Sequence, residues 1–189
     1  MHFTLSDLVI DIAQNAVESA ADLVELDIAE TAAEFRFTVR DNGKGMDQDE
    51  LKQAMDPFVT DGVKHPHRKV GLGIPFLIQT AVQSGGGWDI RSEKNLGTTV
   101  TAWFDRGNVD TPPVGDLSGM FRTILLFQCS GDILVRRFCD DGKRSIHYEV
   151  RKSGLLDALG DLEDAGSLAL LQKYLKSIEE DDERFEASS

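Results

Sequence analysis

Cysteine is nearly absent from this sequence. Cys129 and Cys139 are the two in 189 residues, and neither belongs to a Cys-x-x-Cys pair or sits beside a histidine at ligand spacing. The pattern reads as free thiols in a reducing compartment, not as a disulfide framework or a zinc site. Positive charge is also short: 20 Lys and Arg face 33 Asp and Glu, a formal net charge of −13. Neutralising phosphates needs a basic face, so the balance argues against nucleic acid and against an anionic membrane as partner. No apolar run approaches membrane-spanning length, and Met1 to Asp7 lacks the basic and apolar regions of a secretory signal. The expectation is a cytoplasmic protein. Histidine is scarce as well. His2, His65, His67 and His147 are not followed by an acid on a long amphipathic helix, which argues against a phospho-accepting histidine within the chain. What remains is ordinary for a globular protein, 41% hydrophobic and 28% charged, enough for one large domain or one domain with a small second one.

The pattern predicts a helix over Ser6 to Ala21, with Ser6 as N-cap and Asp7 in the first turn. Val9, Ile12, Ala13, Ala16, Val17 and Ala20 form its apolar stripe. Asp11, Asn15, Glu18 and Asp22 form a second stripe that contains no Lys or Arg, so it is not a salt-bridge ladder. Val24 to Ala29 and Phe35 to Arg40 alternate as strands, joined by a hairpin connection over 30–34. Asp41-Asn42-Gly43-Lys44-Gly45-Met46 is a strong turn signal. Asp47, with Glu50 three residues on, reads as the capping box of a short helix ending near Met55. Asp56 to Lys69 has neither period, the mark of a long functional loop. A helix follows from Gly73 to about Ser84, then strands over Trp88 to Glu93 and Thr98 to Phe104. Asp105 to Gly115 reads as a linker. Beyond it come a helix capped by Asp116, a hairpin over Ile133 to Arg151, two more helical stretches, and an acidic end over 181–189.

Three stretches together suit a nucleoside triphosphate. Asn15 offers a neutral oxygen for a hard cation that already carries phosphate oxygens. Asp11, one turn earlier on the same face, could deprotonate a water. Asp41 ends a strand and can accept from an exocyclic amine, and Gly43 and Gly45 let a flat ring lie against backbone. Gly71 and Gly73 open a helix, where close-approaching N–H groups favour phosphate.

The set Asp11-x-x-x-Asn15, Asp41-x-Gly43-x-Gly45-Met46 and Gly71-Leu72-Gly73-Ile74 resembles the Bergerat-fold (GHKL) ATP-binding superfamily of gyrase, the ninety-kilodalton heat-shock chaperone, sensor histidine kinases and mismatch-repair ATPases. Asp56-Pro57-Phe58 resembles the phenylalanine box of histidine kinases, and Gly97-Thr98-Thr99 the last box of that fold. The likeness runs in order over Ser6 to Phe104 and implies an α+β, two-layer sandwich: a mixed sheet with helices on one face, here with a small C-terminal α+β extension. The implied division is an ATP-binding domain over 1–105, a linker over 106–115, an appendage over 116–180 and a tail over 181–189.

The resemblance also implies roles. Asn15 would ligate Mg²⁺, and Asp11 would be the catalytic base. Asp41 would bind the adenine amino group, with Thr98 near the same edge and Gly43, Gly45 and Met46 lining the pocket. Residues 56–69 would form an ATP lid anchored by Phe58, with Lys69 the cation nearest the phosphate-facing Gly71, Leu72 and Gly73. Lys44, at a variable position of its box, is expected in solvent. Hydrolysing members usually carry Glu where this chain has Asp11, one methylene shorter. The expectations are therefore a Mg²⁺-dependent ATP-binding protein acting as a slow ATPase or nucleotide switch on a protein partner. The alternatives are a kinase acting in trans, of the anti-sigma serine or split histidine type, and a non-catalytic ATP sensor.

Overall fold

The computed structural model describes residues 3–58 and 73–180. In chain order these form α1 (Leu5–Glu18), β1 (Leu23–Thr31), β2 (Glu34–Asp41), α2 (Gln48–Met55), α3 (Gly73–Gln83), β3 (Gly87–Glu93) and β4 (Gly97–Asp105). They continue with α4 (Leu117–Leu125), β5 (Asp132–Asp140), β6 (Ser145–Arg151), α5 (Lys152–Leu159) and α6 (Ala165–Glu180). The strands make one six-stranded sheet in the order β3-β4-β2-β1-β5-β6. Every neighbouring pair is antiparallel except β1 and β5. This is the mixed-sheet α+β architecture the sequence implied.

Alternation decides which face is covered. Val24, Leu26 and Ile28 of β1, Phe35, Phe37 and Val39 of β2, and Val100, Ala102 and Phe104 of β4 are buried on one side, as a period of two requires. They share a core with the stripe Leu5, Leu8, Val9, Ile12, Ala13 and Ala16 of α1. The opposite face carries charged residues, among them Arg136 paired with Glu25 and Asp27, and Arg40 paired with Asp27.

The start of α1 corrects one expectation. Thr4, not Ser6, is the N-cap: its side chain accepts from Asp7 N, and the Asp7 carboxylate accepts from Thr4 N at 2.9 Å. Ser6 lies inside the helix, buried, and its hydroxyl donates to Val114 O at 2.6 Å. The helix also ends at Glu18, before the expected Ala21, because Ala20 takes a left-handed conformation (φ 61°).

Residues 113–114 run across the start of α1, where Pro113 O and Val114 O accept from Leu5 N and Ser6 N, each at 2.9 Å. The chain then enters α4. As expected, its N-cap is Asp116, whose carboxylate accepts from Gly119 N at 2.9 Å. That N–H holds the Asp116 carboxyl below its ordinary value near 3.8. Asp116→Ala is expected to cost about 1 kcal/mol at neutral pH, a typical value for a lost cap. A group depressed in the folded state stabilises above its unfolded pKa and loses that contribution as the pH falls through the folded value. Urea titrations of wild type and Asp116→Ala at descending pH should therefore converge in acid.

Candidate functional site

Strand ends gather the site. β2 ends at Asp41 directly opposite Thr98, the second residue of β4. Asp41 Oδ1 accepts from Gly43 N at 2.9 Å and lies 2.9 Å from Ser19 Oγ, whose one proton is shared with Ala16 O at 2.7 Å. These bonds fix the carboxylate and leave Oδ2 without a bond among the described residues. Asn42 turns back instead, its Oδ1 accepting from Asp22 N and Leu23 N at 2.9 and 3.0 Å.

The glycines of this turn are demanded by the protein's own packing. A Cβ on Gly43 would lie 1.9 Å from Ser19 Oγ, and one on Gly45, which has φ 56°, would lie 1.9 Å from Glu93 O. Each contact is far inside van der Waals distance, so any larger residue must displace the turn. The side-chain directions of both glycines are thus filled by protein, and a ring could lie only against their remaining backbone. Met46 N donates to Ser92 Oγ at 2.8 Å, and Ser92 Oγ lies 2.8 Å from Thr98 Oγ1. Met46, Ser92 and Thr98 therefore form one polar chain beside Asp41. Lys44 is exposed, as expected.

The second half of the site is made by α1 and α3. A Cβ built on Gly73 would sit 3.6 Å from Asn15 Nδ2 and 3.8 Å from Asp11 Cβ. The first turn of α3 thus abuts the acid–amide stripe of α1, whose Asp11 and Asn15 are both exposed. Glu18, on the same stripe, accepts from Gln14 Nε2 at 3.0 Å, a bond along the helix. Pro75 is buried in the first turn of α3, where no intrahelical N–H is lost.

Beside the Asp41–Met46 turn, α2 is secured by the predicted capping box of Asp47 and Glu50. Lys94, from the β3–β4 turn, reaches both carboxylates at 3.3 and 3.0 Å. Backbone N–H groups, with Lys94 adding to them, hold both carboxyls below their ordinary values. Phe58 is 92% exposed, with its N–H donating to Asp56 Oδ1. Lys69, Gly71 and Leu72, together with most of the expected lid, lie outside the described residues.

The structure thus brings Asp11, Asn15 and Gly73 together, and Asp41, Gly43, Gly45, Met46 and Thr98 together. Ser19 and Ser92 were not anticipated. Lone serines carry no spacing signal, although Ser92 is the residue that β-pairing sets opposite Thr98. The two side chains at the α1–α3 contact, a carboxylate and an amide, are of the chemical kind that suits a hard divalent cation preferring oxygen ligands.

Comparison with known proteins bears on the family. Residues 3–108 match the family described as histidine kinase-, DNA gyrase B- and HSP90-like ATPase. Sporulation kinase C of Bacillus subtilis (strain 168) is 31% identical over 96 residues, 50% of this chain and 22% of the relative. Sensor histidine kinase ZraS of Escherichia coli (strain K12) is 25% identical over 101 residues, 52% and 21% of the two chains. Sporulation kinase D of Bacillus subtilis (strain 168) is 30% identical over 99 residues, 51% and 19%. The matches cover about half of this chain and about a fifth of each relative.

Proposed function

The chain belongs to the histidine kinase-, DNA gyrase B- and HSP90-like ATPase family, and on that premise we propose a magnesium-dependent ATP switch with slow turnover that acts on a protein partner. ATP binding itself follows from the family. The observation that carries the finer reading is the contact of Gly73 with Asn15 and Asp11. It sets the Asp11 and Asn15 side chains against the start of α3, which in this reading faces the phosphates.

In this reading Asp41 Oδ2 accepts from the adenine amino group while Oδ1 stays bound to Ser19 and Gly43. Thr98, held by Ser92, orders the same edge directly or through water. Asn15 would hold Mg²⁺, which when bound offsets charge on the phosphate oxygens. Asp11 takes the proton of the attacking water. Its carboxylate stands one methylene nearer the helix than a glutamate would, so slow turnover is the expectation. Lys69, Gly71 and Leu72 are proposed to complete the phosphate side, and Phe58 to anchor the lid.

The test is purified protein with γ-labelled ATP and Mg²⁺. Asp11→Asn is expected to lower phosphate release about 10²-fold or more while ATP binding persists, as for removal of a general base. Unchanged release in that variant would remove Asp11 from the mechanism. The named relatives are kinases, which favours transfer in trans as the second reading. Label appearing on a co-purified protein, in place of free phosphate, selects it. Binding with neither outcome selects an ATP sensor.

A further inference from the structure

We propose that β6 is a dimerisation edge, pairing antiparallel with β6 of a second copy about a two-fold axis through Tyr148. β6 lies at one end of the sheet and pairs within the described chain only with β5. Such an edge presents a row of N–H and C=O groups, a template for another strand.

The strand is complementary to itself. A two-fold axis normal to the sheet at Tyr148 sets Ser145 opposite Arg151, Ile146 opposite Val150, and His147 opposite Glu149, each pair occurring twice. Ile146 and Val150 are on the buried face, 6% and 4% exposed. His147 and Glu149 are exposed and lie on the other. A one-residue slip would set buried positions against exposed ones. A two-residue slip would centre the axis on His147 or Glu149 and oppose each to its own copy. The register at Tyr148 is therefore the one that matches faces, keeps each Glu149 from its own copy and uses the whole strand.

The helix layer points the same way. α6 packs against both α4 and β6. It buries Leu171 and Leu175, and on one flank Gln172 Nε2 reaches Ser118 Oγ of α4 at 3.5 Å. Helical geometry puts Leu170 and Tyr174 on the flank facing away from α4, on the side of the edge strand. They are 57% and 44% exposed. The axis at Tyr148 brings these apolar flanks of two copies toward each other above the joined strands. Glu149 already accepts from Arg136 Nε at 3.1 Å, and at the opposite edge, β3, Asp89 and Arg91 are paired with each other at 2.8 Å. The dimer also leaves the ATP site clear, since Asp41 and Thr98 lie on β2 and β4, beyond β1 and β5 from the joint.

Sedimentation velocity and light scattering on the full chain test this. The expected mass is twice the 20.8 kDa of one chain. His147→Glu sets Glu against Glu149 in two places and should raise the dissociation constant roughly tenfold or more. His147→Lys sets a positive charge against Glu149 and should remain dimeric, although it loses the same imidazole. Leu170→Glu with Tyr174→Glu should give the mass of one chain. ATP binding, measured alongside, reports that each variant is folded. A wild-type mass of one chain at the highest soluble concentration overturns the proposal. So does a dimer that all these variants leave intact, or one that Arg91→Glu on β3 dissociates.

Discussion

Asp41→Asn should weaken ATP binding by about 10²-fold, read by calorimetry, while leaving the fold intact. The substitution keeps the size of the side chain and an oxygen that can still accept from Gly43 N and Ser19 Oγ, the two bonds that position Asp41. What changes is the second position. A carboxylate Oδ2 accepts from an exocyclic amine, whereas an amide NH₂ there meets a donor with a donor. Hydrogen bonds to charged groups contribute about 1.5–3 kcal/mol, and an unmade one leaves a desolvated donor on the base. At about 1.4 kcal/mol per decade this gives one to two orders of magnitude from the bond alone. Ser19→Ala separates positioning from contact. It removes one of the two bonds on Oδ1 and should weaken binding by a smaller factor, about fivefold to tenfold. Equal ATP affinity in wild type and Asp41→Asn, with unaltered circular dichroism, would dismiss the adenine assignment.

Local chemistry was legible in the sequence where it has a short range. The capping box of Asp47 and Glu50 and the cap at Asp116 could be read because their partners lie within three residues. The start of α1 was misjudged because Ser6 is itself a good cap residue, while Thr4 forms its box with Asp7, shorter than the usual Glu or Gln. The pair Asp11 and Asn15 and the stretch Asp41 to Met46 could be read because each is local, one turn of α1 and six consecutive residues. Their assembly could not. Gly73 meets Asn15 only through the packing of α3 on α1, and Ser92 joins Met46 to Thr98 only through the β3–β4 register. The parallel pairing of β5 with β1 was invisible for the same reason. No turn links the two strands, and more than a hundred residues separate Leu26 from its partner Val135. A period-two reading of β5 did contain one clue. Val135, Arg137 and Cys139 share a face, so Arg137 had to enter the core with them.

That arginine carries the largest expected effect on stability. Arg137 is fully buried, and its guanidinium bonds Glu30 of β1, Phe138 O at 2.8 Å and Glu179 of α6 at 3.3 Å. Glu30, 3% exposed, also accepts from Arg144 at 3.3 Å and pairs with Arg106 at 3.2 Å. Glu179 accepts from the Tyr148 hydroxyl, and burial, with that carboxylate beside it, pushes the phenol well above its ordinary value. Breaking a buried pair on one side costs about 3–5 kcal/mol, because the other charge stays buried. Arg137→Met keeps the volume and removes the charge. Glu30 retains two guanidinium partners, so the lower end, about 3 kcal/mol, is expected. Urea unfolding should show a lower midpoint with an unchanged slope, and in a chain of this size the melting temperature should fall by roughly 6–12 °C. The result also tests how residues 116–180 relate to the ATP-binding part. The cluster draws on β1, β5, α6 and Arg106, so loosening it should lower one cooperative transition that also abolishes ATP binding. If ATP binding instead survives to higher urea than the loss of α6 and β6, those elements melt as a separate unit and the cluster is a joint between two parts. If Arg137→Met costs less than about 1 kcal/mol, the buried charges contribute little beyond offsetting one another.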